Sequence, residues 1–152
     1  MRTVVQRVKS ASVSVDGKLI GSIDHGLLVL LGVANGDTDV EAQWLVEKIS
    51  QLRIFDDQNG KMNLSVLDVK GSLLIVSQFT LLADCRRGRR PAFTDAAEPT
   101  SANQLYERFI QITKNLGINT QSGKFAADMQ VSLVNDGPVT LIIEREPNGV
   151  AR

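Results

Sequence analysis

The chain has 152 residues, and 17 lysines and arginines balance 17 aspartates and glutamates. A chain of that length suits one domain, and folding buries roughly 68–70% of its unfolded surface, enough for a layered core that needs no covalent or metal staples. Zero formal net charge excludes a global field for nucleic acid or for an acidic ligand, so any such partner has to be met by a local patch.

The lone cysteine, Cys85, excludes an internal disulfide and suits a reducing cytosol. With one histidine and one cysteine, a zinc site of nitrogen and sulfur ligands cannot be assembled within one chain, and no metal or cofactor is expected. His25, between "SID" and Gly26, reads as a solvent-facing turn residue. It is the only base a hydrolytic triad could use, and nothing beside it offers the orienting third group.

"MRTVVQRVKSASVSV" alternates as a strand from the start and lacks the apolar run of a signal peptide; "GLLVLLGVA" is too short to cross a bilayer. A soluble cytoplasmic protein is expected. "TVVQRV" and "ASVSV" predict two strands, Asp16-Gly17 a hairpin turn, and "KLIGSI" the returning strand. "GLLVLLGVA" reads as a strand buried on both faces. Thr38 with Glu41 forms a capping box, followed by Ala42, Leu45, Val46, Ile49 and Leu52 at helical spacing.

"DDQNGK" is a turn, and "NLSVLDV" is too short to assign. "GSLLIVSQFTLLA" predicts a buried strand reaching Ser77, Gln78, Phe79 and Thr80. After an arginine-rich loop, Ser101 with Gln104 suggests a second capping box, with Leu105, Phe109, Ile112 and Leu116 as the stripe and Gly117 as the stop. "MQVSLV" and "VTLIIE" predict a closing hairpin turning at "NDGPVT". The order predicts one α/β domain of mixed β-sheets packed in layers with helices, residues 1–145, followed by a disordered tail, 146–152.

Three stretches stand out chemically. "SQFT", 77 to 80, puts hydroxyls and an amide at the end of a buried strand, where they and adjoining N–H groups can serve a developing oxyanion; such residues also simply satisfy a frayed strand end. "CRRGRRP" puts Arg86, Arg87, Arg89 and Arg90 around a glycine, four guanidiniums suited to RNA phosphates or to solvent, in a chain without evident stacking platforms. In "NDGPVT", Pro138 gives up a donor at the mouth of a strand, which punctuation alone accounts for.

The segments "MRTVVQRV", "GLLVLLGVA", "KISQLRIFDDQNGKMNLSV", "LLIVSQFTLLAD", "RRGRRPAFTDAA", "LYERF" and "VSLVNDGPVTLIIE" resemble, in order and from Met1 to about Glu144, the D-aminoacyl-tRNA deacylase family, also called D-tyrosyl-tRNA deacylase. The resemblance implies mixed sheets with both helices on one side, and a homodimer with active sites at the subunit interface. It also implies an aminoacyl-tRNA substrate, with no DNA or membrane partner. It places Ser77, Gln78, Phe79 and Thr80 beside the scissile ester, and gives Gly137-Pro138 a cis bond and a role at the substrate's chiral centre, in the active site of the other subunit.

D- and L-esters carry identical groups, so chirality has to be read by shape, and a main-chain wall with ring-locked φ yields less than a rotating side chain. Glycine has nothing to clash, so glycyl-tRNA is expected to be hydrolysed as well. An aminoacyl ester is labile, so positioning and oxyanion stabilisation suffice, with Thr80 orienting water or ester rather than attacking. Two positions depart from the family: Ala126 stands where glycine is usual, and Cys85 where a small hydroxyl residue is common. A non-catalytic dimeric tRNA-binding protein is the alternative, and a generic serine esterase a distant third.

Overall fold

Alternating apolar residues build β1, Arg2–Val15, a single strand where two were expected. The chain stays extended through Lys9 and Ser10 because both of its edges are occupied. One edge pairs first with β3, Gly26–Gly32, and then with β2, Lys18–Ile23; the other pairs with β8, Gln130–Glu144. Asp16 and Gly17, with φ of +50° and +74°, close the β1–β2 hairpin as the sequence predicts. This computed structural model describes residues 1–147 and 149.

From β3 the chain crosses over α1, Asp39–Gln51, and a two-stranded ribbon, β4 (Phe55–Asp56) with β5 (Met62–Leu64), to β6, Ser72–Ser77. A second crossover through α2, Pro99–Asn115, leads to β7, Asn119–Ser122. The strands β3, β6 and β7 are mutually parallel, and the six-stranded sheet runs β2-β1-β3-β6-β7 with β8 on the outer edge of β1. At the start of β3 the neighbouring strand is so close that a Cβ on Gly26 would lie 1.9 Å from the Ser72 carbonyl oxygen; only glycine fits there.

Both helices pack on one face of the sheet. Leu45 and Ile49 of α1 and Phe109 and Ile112 of α2 meet Val5, Leu27, Val29, Leu73 and Ile75 in the main core. A smaller core, Val8, Ala11, Val13, Ile23, Leu28, Leu74 and Val76, forms on the opposite face, where β2 curls back over β6 and β7. Burial of a side chain such as Phe109 contributes about 1.5–3 kcal/mol, so the helix stripes secure α1 and α2 more than local propensity does.

The Thr38–Glu41 capping box is present as expected: the Glu41 carboxylate accepts from the Thr38 N–H at 2.8 Å and hydroxyl at 2.7 Å. Burial resists ionisation of Glu41, but these hydrogen bonds outweigh it and hold its pKa below the ordinary value. The second box differs from expectation. Pro99 occupies the first turn of α2, which lets the helix start earlier, and Glu98 caps it by accepting from the Thr100 and Ser101 N–H groups at 3.1 and 3.3 Å.

The closing hairpin is also corrected. The two halves of β8 do not pair with each other; both pair with β1, from Arg2 opposite Glu144 to Ser14 opposite Gln130. The register jumps between Gln6–Thr140 and Val8–Asn135, so residues 136–139 loop out opposite Arg7 alone. "NDGPVT" is therefore an excursion from one long edge strand. Of the tail, Gly149 donates its N–H to the Glu146 carbonyl at 2.9 Å, while residues 148 and 150–152 lie outside the described residues.

Candidate active site

The carboxyl ends of parallel strands form a crevice because the chain leaves the sheet there, which is where α/β proteins commonly bind ligands. At the ends of β3 and β6 this chain has a cavity of about 500 Å³. Its interior is largely apolar, with Leu31, Val33, Val76, Tyr106, Phe125 and Met129 on the walls, and Ser77, Gln78 and Phe79 contribute to the same lining.

The sequence extends β6 through Thr80, but the strand ends at Ser77 and Phe79–Leu82 form a single 3-10 turn. The Gln78 N–H still donates to the Leu31 carbonyl at 2.8 Å, and the Leu81 N–H then donates to Gln78 at 3.2 Å. The leading N–H groups of such a turn, those of Phe79 and Thr80, have no acceptor inside it and are available as donors. The Gln78 side-chain amide donates to Thr80 Oγ1, which leaves the Thr80 hydroxyl proton free to point elsewhere.

No histidine, lysine or cysteine lines the cavity among the described residues; Asp128 is there, exposed. The Tyr106 hydroxyl donates to the Ile75 carbonyl at 2.8 Å. Burial pushes its pKa up to about 12, so the phenol serves as a neutral wall. Ala126, also on the lining, adopts φ +58°, the left-handed region that costs an L-residue roughly 1–2 kcal/mol; this gives a physical reason for a glycine preference there. His25 is exposed at the opposite end of β3, its ring edge-on to Phe55.

Gly137 and Pro138 are exposed and do not line this cavity. The Gly137-Pro138 peptide is cis, and Gly137 has φ +123°. Arg7 and Asn135 make most of the side-chain bonds that shape the excursion, with Gln6 donating to Thr140 at 3.2 Å and Lys9 pairing with Asp136 at 4.0 Å. Asn135 closes its neck, its Oδ1 accepting from the Val139 N–H at 3.0 Å and its Nδ2 donating to Thr140 Oγ1 at 3.0 Å. Arg7, only 5% exposed, lies beneath it: Nε donates to the Asp136 carbonyl at 3.2 Å, and Nη1 donates to the Ile54 carbonyl at 2.6 Å. Arg7 also pairs with the carboxylates of Asp136 and Asp56 at 3.4 and 3.6 Å.

Sequence reading missed Arg7, although a signal existed. Thr3, Val5 and Arg7 share one face of β1, and a charge at a core-facing position of an alternating strand requires partners. Tyr106, Phe125 and Met129 were legible as apolar residues, but nothing local connected them to Ser77–Phe79.

The arginine loop is pinned at its base by bridges between Asp84 and Ala92. Its four guanidiniums are not equivalent. Arg86 is held by the Asp84 carboxylate, Nε and Nη2 each donating at 2.8 Å, whereas Arg87, Arg89 and Arg90 are exposed and pair with no acid among the described residues. The Arg86 hydrogen bonds pull the Asp84 pKa down to about 2.

The family model described as D-Tyr-tRNA(Tyr) deacylase matches residues 4–144. A D-aminoacyl-tRNA deacylase of Desulfatibacillum aliphaticivorans is 62% identical over 144 residues, spanning 95% of this chain and 99% of that protein. One of Geotalea uraniireducens is 60% identical over 148 residues, spanning 97% and 96%. A solved structure named c-Myc DNA Unwinding Element Binding Protein superposes with a TM-score of 0.91 at 41% identity, covering 96% of this chain and 99% of that one. With a matched range that spans the strand-end turn, the arginine loop and the β8 excursion, this chain belongs to the D-Tyr-tRNA(Tyr) deacylase family.

Proposed function

We propose that the protein hydrolyses the ester of D-aminoacyl-tRNA in the cytoplasm, releasing the free D-amino acid and the tRNA, and spares L-aminoacyl-tRNA. The observation that carries this reading is the cavity, apolar inside and bounded by Ser77, Gln78 and Phe79, with no histidine, lysine or cysteine among the described residues of its lining. Such a site suits a substrate that is already labile, because it supplies position and donors rather than a strong base. The terminal nucleoside fills the apolar interior, and the ester carbonyl faces the Phe79 and Thr80 N–H groups. Thr80, its hydroxyl oxygen engaged by Gln78, orients the attacking water. Water adds to the acyl carbon, the bond to the ribose oxygen breaks, and a proton passes to that oxygen, with the vicinal ribose hydroxyl as its relay.

Chiral selection falls to Gly137 and Pro138 of a second copy. Two features support a homodimer of this kind. Those residues are exposed and away from their own chain's cavity. They also lie on a 15-residue edge strand that, among the described residues, pairs only with β1 and exposes Leu133, Val134 and Ile142. An edge that long and apolar is usually covered. Arg87, Arg89 and Arg90 grip tRNA phosphates, with Arg86 a weaker contributor.

One assay with three substrates tests the reading: matched D-aminoacyl-, L-aminoacyl- and glycyl-tRNA. Hydrolysis of the D- and glycyl-esters with the L-ester spared is expected. Equal turnover of D and L sinks chiral selection, and a resistant glycyl ester means that a positive pocket for the D side chain is required. Tight tRNA binding without turnover of any ester establishes the non-catalytic alternative.

A further inference from the structure

Five phenylalanines occur in the chain, and two of them, Phe79 and Phe93, are exposed and touch each other. Phe79 is 57% and Phe93 38% exposed, with ring centroids 5.0 Å apart and planes at 65°. By contrast, Phe55 and Phe109 are fully buried. An edge-to-face pair leaves ring surface open, and contiguous apolar area beside a cavity is a candidate contact site.

The position of the pair identifies the occupant. Phe93 follows directly on the Asp84–Ala92 bridges that close the arginine loop. Three residues further on, Ala96 pairs with Ala34, and the Ala97 N–H donates to Val33 at 2.9 Å, fixing the segment against the end of β3. Ala96 and Ala97 line the cavity. Between residues 87 and 97 the chain thus runs from guanidiniums with no acid partner among the described residues, past an exposed aromatic ring, to the cavity wall, while Phe79 joins that ring to the strand-end turn.

We propose that Phe93, with Phe79 against it, is a stacking platform for the unpaired nucleotide that precedes the terminal adenosine of the tRNA. A phosphate grip followed by an aromatic face is the arrangement by which proteins hold single-stranded nucleic acid, and the π-face accepts any base. The inference rests on the proposed deacylase reading: the cavity takes the last nucleoside, the platform the one before it, and Arg87, Arg89 and Arg90 the phosphates beyond. No such platform is legible in the sequence, because Phe79 and Phe93 meet only in the fold.

The test compares kcat and KM of wild type, Phe93→Ala and Phe93→Trp on a D-aminoacyl-tRNA and on the same amino acid esterified to adenosine alone. Phe93→Ala should raise KM for the tRNA about tenfold, as expected for one lost base stack. Its effect on the adenosine ester should be much smaller, and Trp should restore the tRNA KM. Equal losses on both substrates, no loss on either, or dissociation of the dimer in Phe93→Ala each overturn the platform, the last by making the ring pair a contact between copies. A fluorescent base analogue at the penultimate position of uncharged tRNA gives a readout independent of turnover: stacking should quench it with wild type and not with Phe93→Ala. Quenching by a wild type that hydrolyses nothing would sink the deacylase reading and keep the platform. No quenching in an active wild type would do the reverse.

Discussion

The strand-end turn at Phe79–Leu82 and the Gly137-Pro138 excursion both interrupt a β-strand, yet they are held by opposite means. The turn is fixed by backbone: Gln78 is bonded to Leu31 of a parallel neighbour, and Leu82 is buried beneath it. The excursion is fixed by side chains, Arg7 below and Asn135 across its neck, on a strand whose one neighbour among the described residues is β1. Geometry inherited from the sheet tolerates side-chain change, whereas geometry held by two side chains does not. The proposed catalytic donors thus belong to the robust region and the proposed chiral wall to the sensitive one.

The largest expected effect comes from separating the two regions genetically. Gly137→Ala puts a Cβ 2.9 Å from Val139 Cγ2 and 3.0 Å from Arg7 Nη2, at a φ that L-residues rarely adopt. Misplacement of the excursion should lower D-aminoacyl-tRNA deacylation by about 10²-fold or more. A turn variant carrying Gln78→Ala and Thr80→Val, which keeps the backbone donors in place but removes the hydroxyl proposed to orient the water, should be comparably impaired. If each site combines one turn with the partner's excursion, mixing and reassociating the two inactive proteins should restore about a quarter of wild-type sites. If turn and excursion act within one chain, each mixed dimer has two defective sites and nothing is recovered.

Arg7→Met gives the next largest effect. It removes the bonds to the Asp136 and Ile54 carbonyls and the ion pairs to Asp136 and Asp56 while keeping much of the stem's volume. Both carboxylates can rehydrate, being 26% and 51% exposed, so the stability cost should be about 2 kcal/mol rather than that of a fully buried pair. Urea unfolding measures it. The preference for D over L should narrow by about tenfold, corresponding to ~1.4 kcal/mol of lost rejection. A variant that loses stability but keeps its full D/L ratio would show that Arg7 serves the fold alone.

The same contrast explains what was legible in the sequence. Elements defined by local chemistry are largely legible: the Asp16-Gly17 turn, the Thr38–Glu41 box and the α1 stripe carry their cause within a few residues, whereas in α2 Glu98 replaces Ser101 as the cap and the expected stripe residue Leu116 is exposed, Ala102 and Tyr106 being buried instead. Elements defined by a distant neighbour are not. Nothing local distinguishes a hairpin at "NDGPVT" from an excursion, because the difference is whether β1 is long enough to pair both halves of β8. Likewise Ser77–Thr80 were identified as candidates, but the wall opposite them comes from α2 and from residues 125–131, and only the β6–α2–β7 crossover brings these together. The resemblance to a family supplied the roles proposed for Gly137 and Pro138, which residue chemistry alone leaves as punctuation.

The smallest expected effect concerns the arginine loop, where four residues equivalent in sequence become unequal in the fold. Each phosphate neutralised adds about 0.7 to 0.9 to the salt dependence of binding, log K against log salt. Arg87→Ala, Arg89→Ala and Arg90→Ala should each flatten that slope by most of this amount. Arg86→Ala should flatten it less, because the Asp84 carboxylate already matches its charge. The pairing persists at any ordinary assay pH. Asp84 is held below its unfolded pKa, so the ion pair is fully formed above about pH 4 and is lost only as pH falls through about 2. Asp84→Asn removes the match at neutral pH, and it should steepen the tRNA salt slope in wild-type background while leaving it unchanged in Arg86→Ala. Equal slopes for all four arginine variants would mean that Asp84 releases Arg86 when RNA arrives.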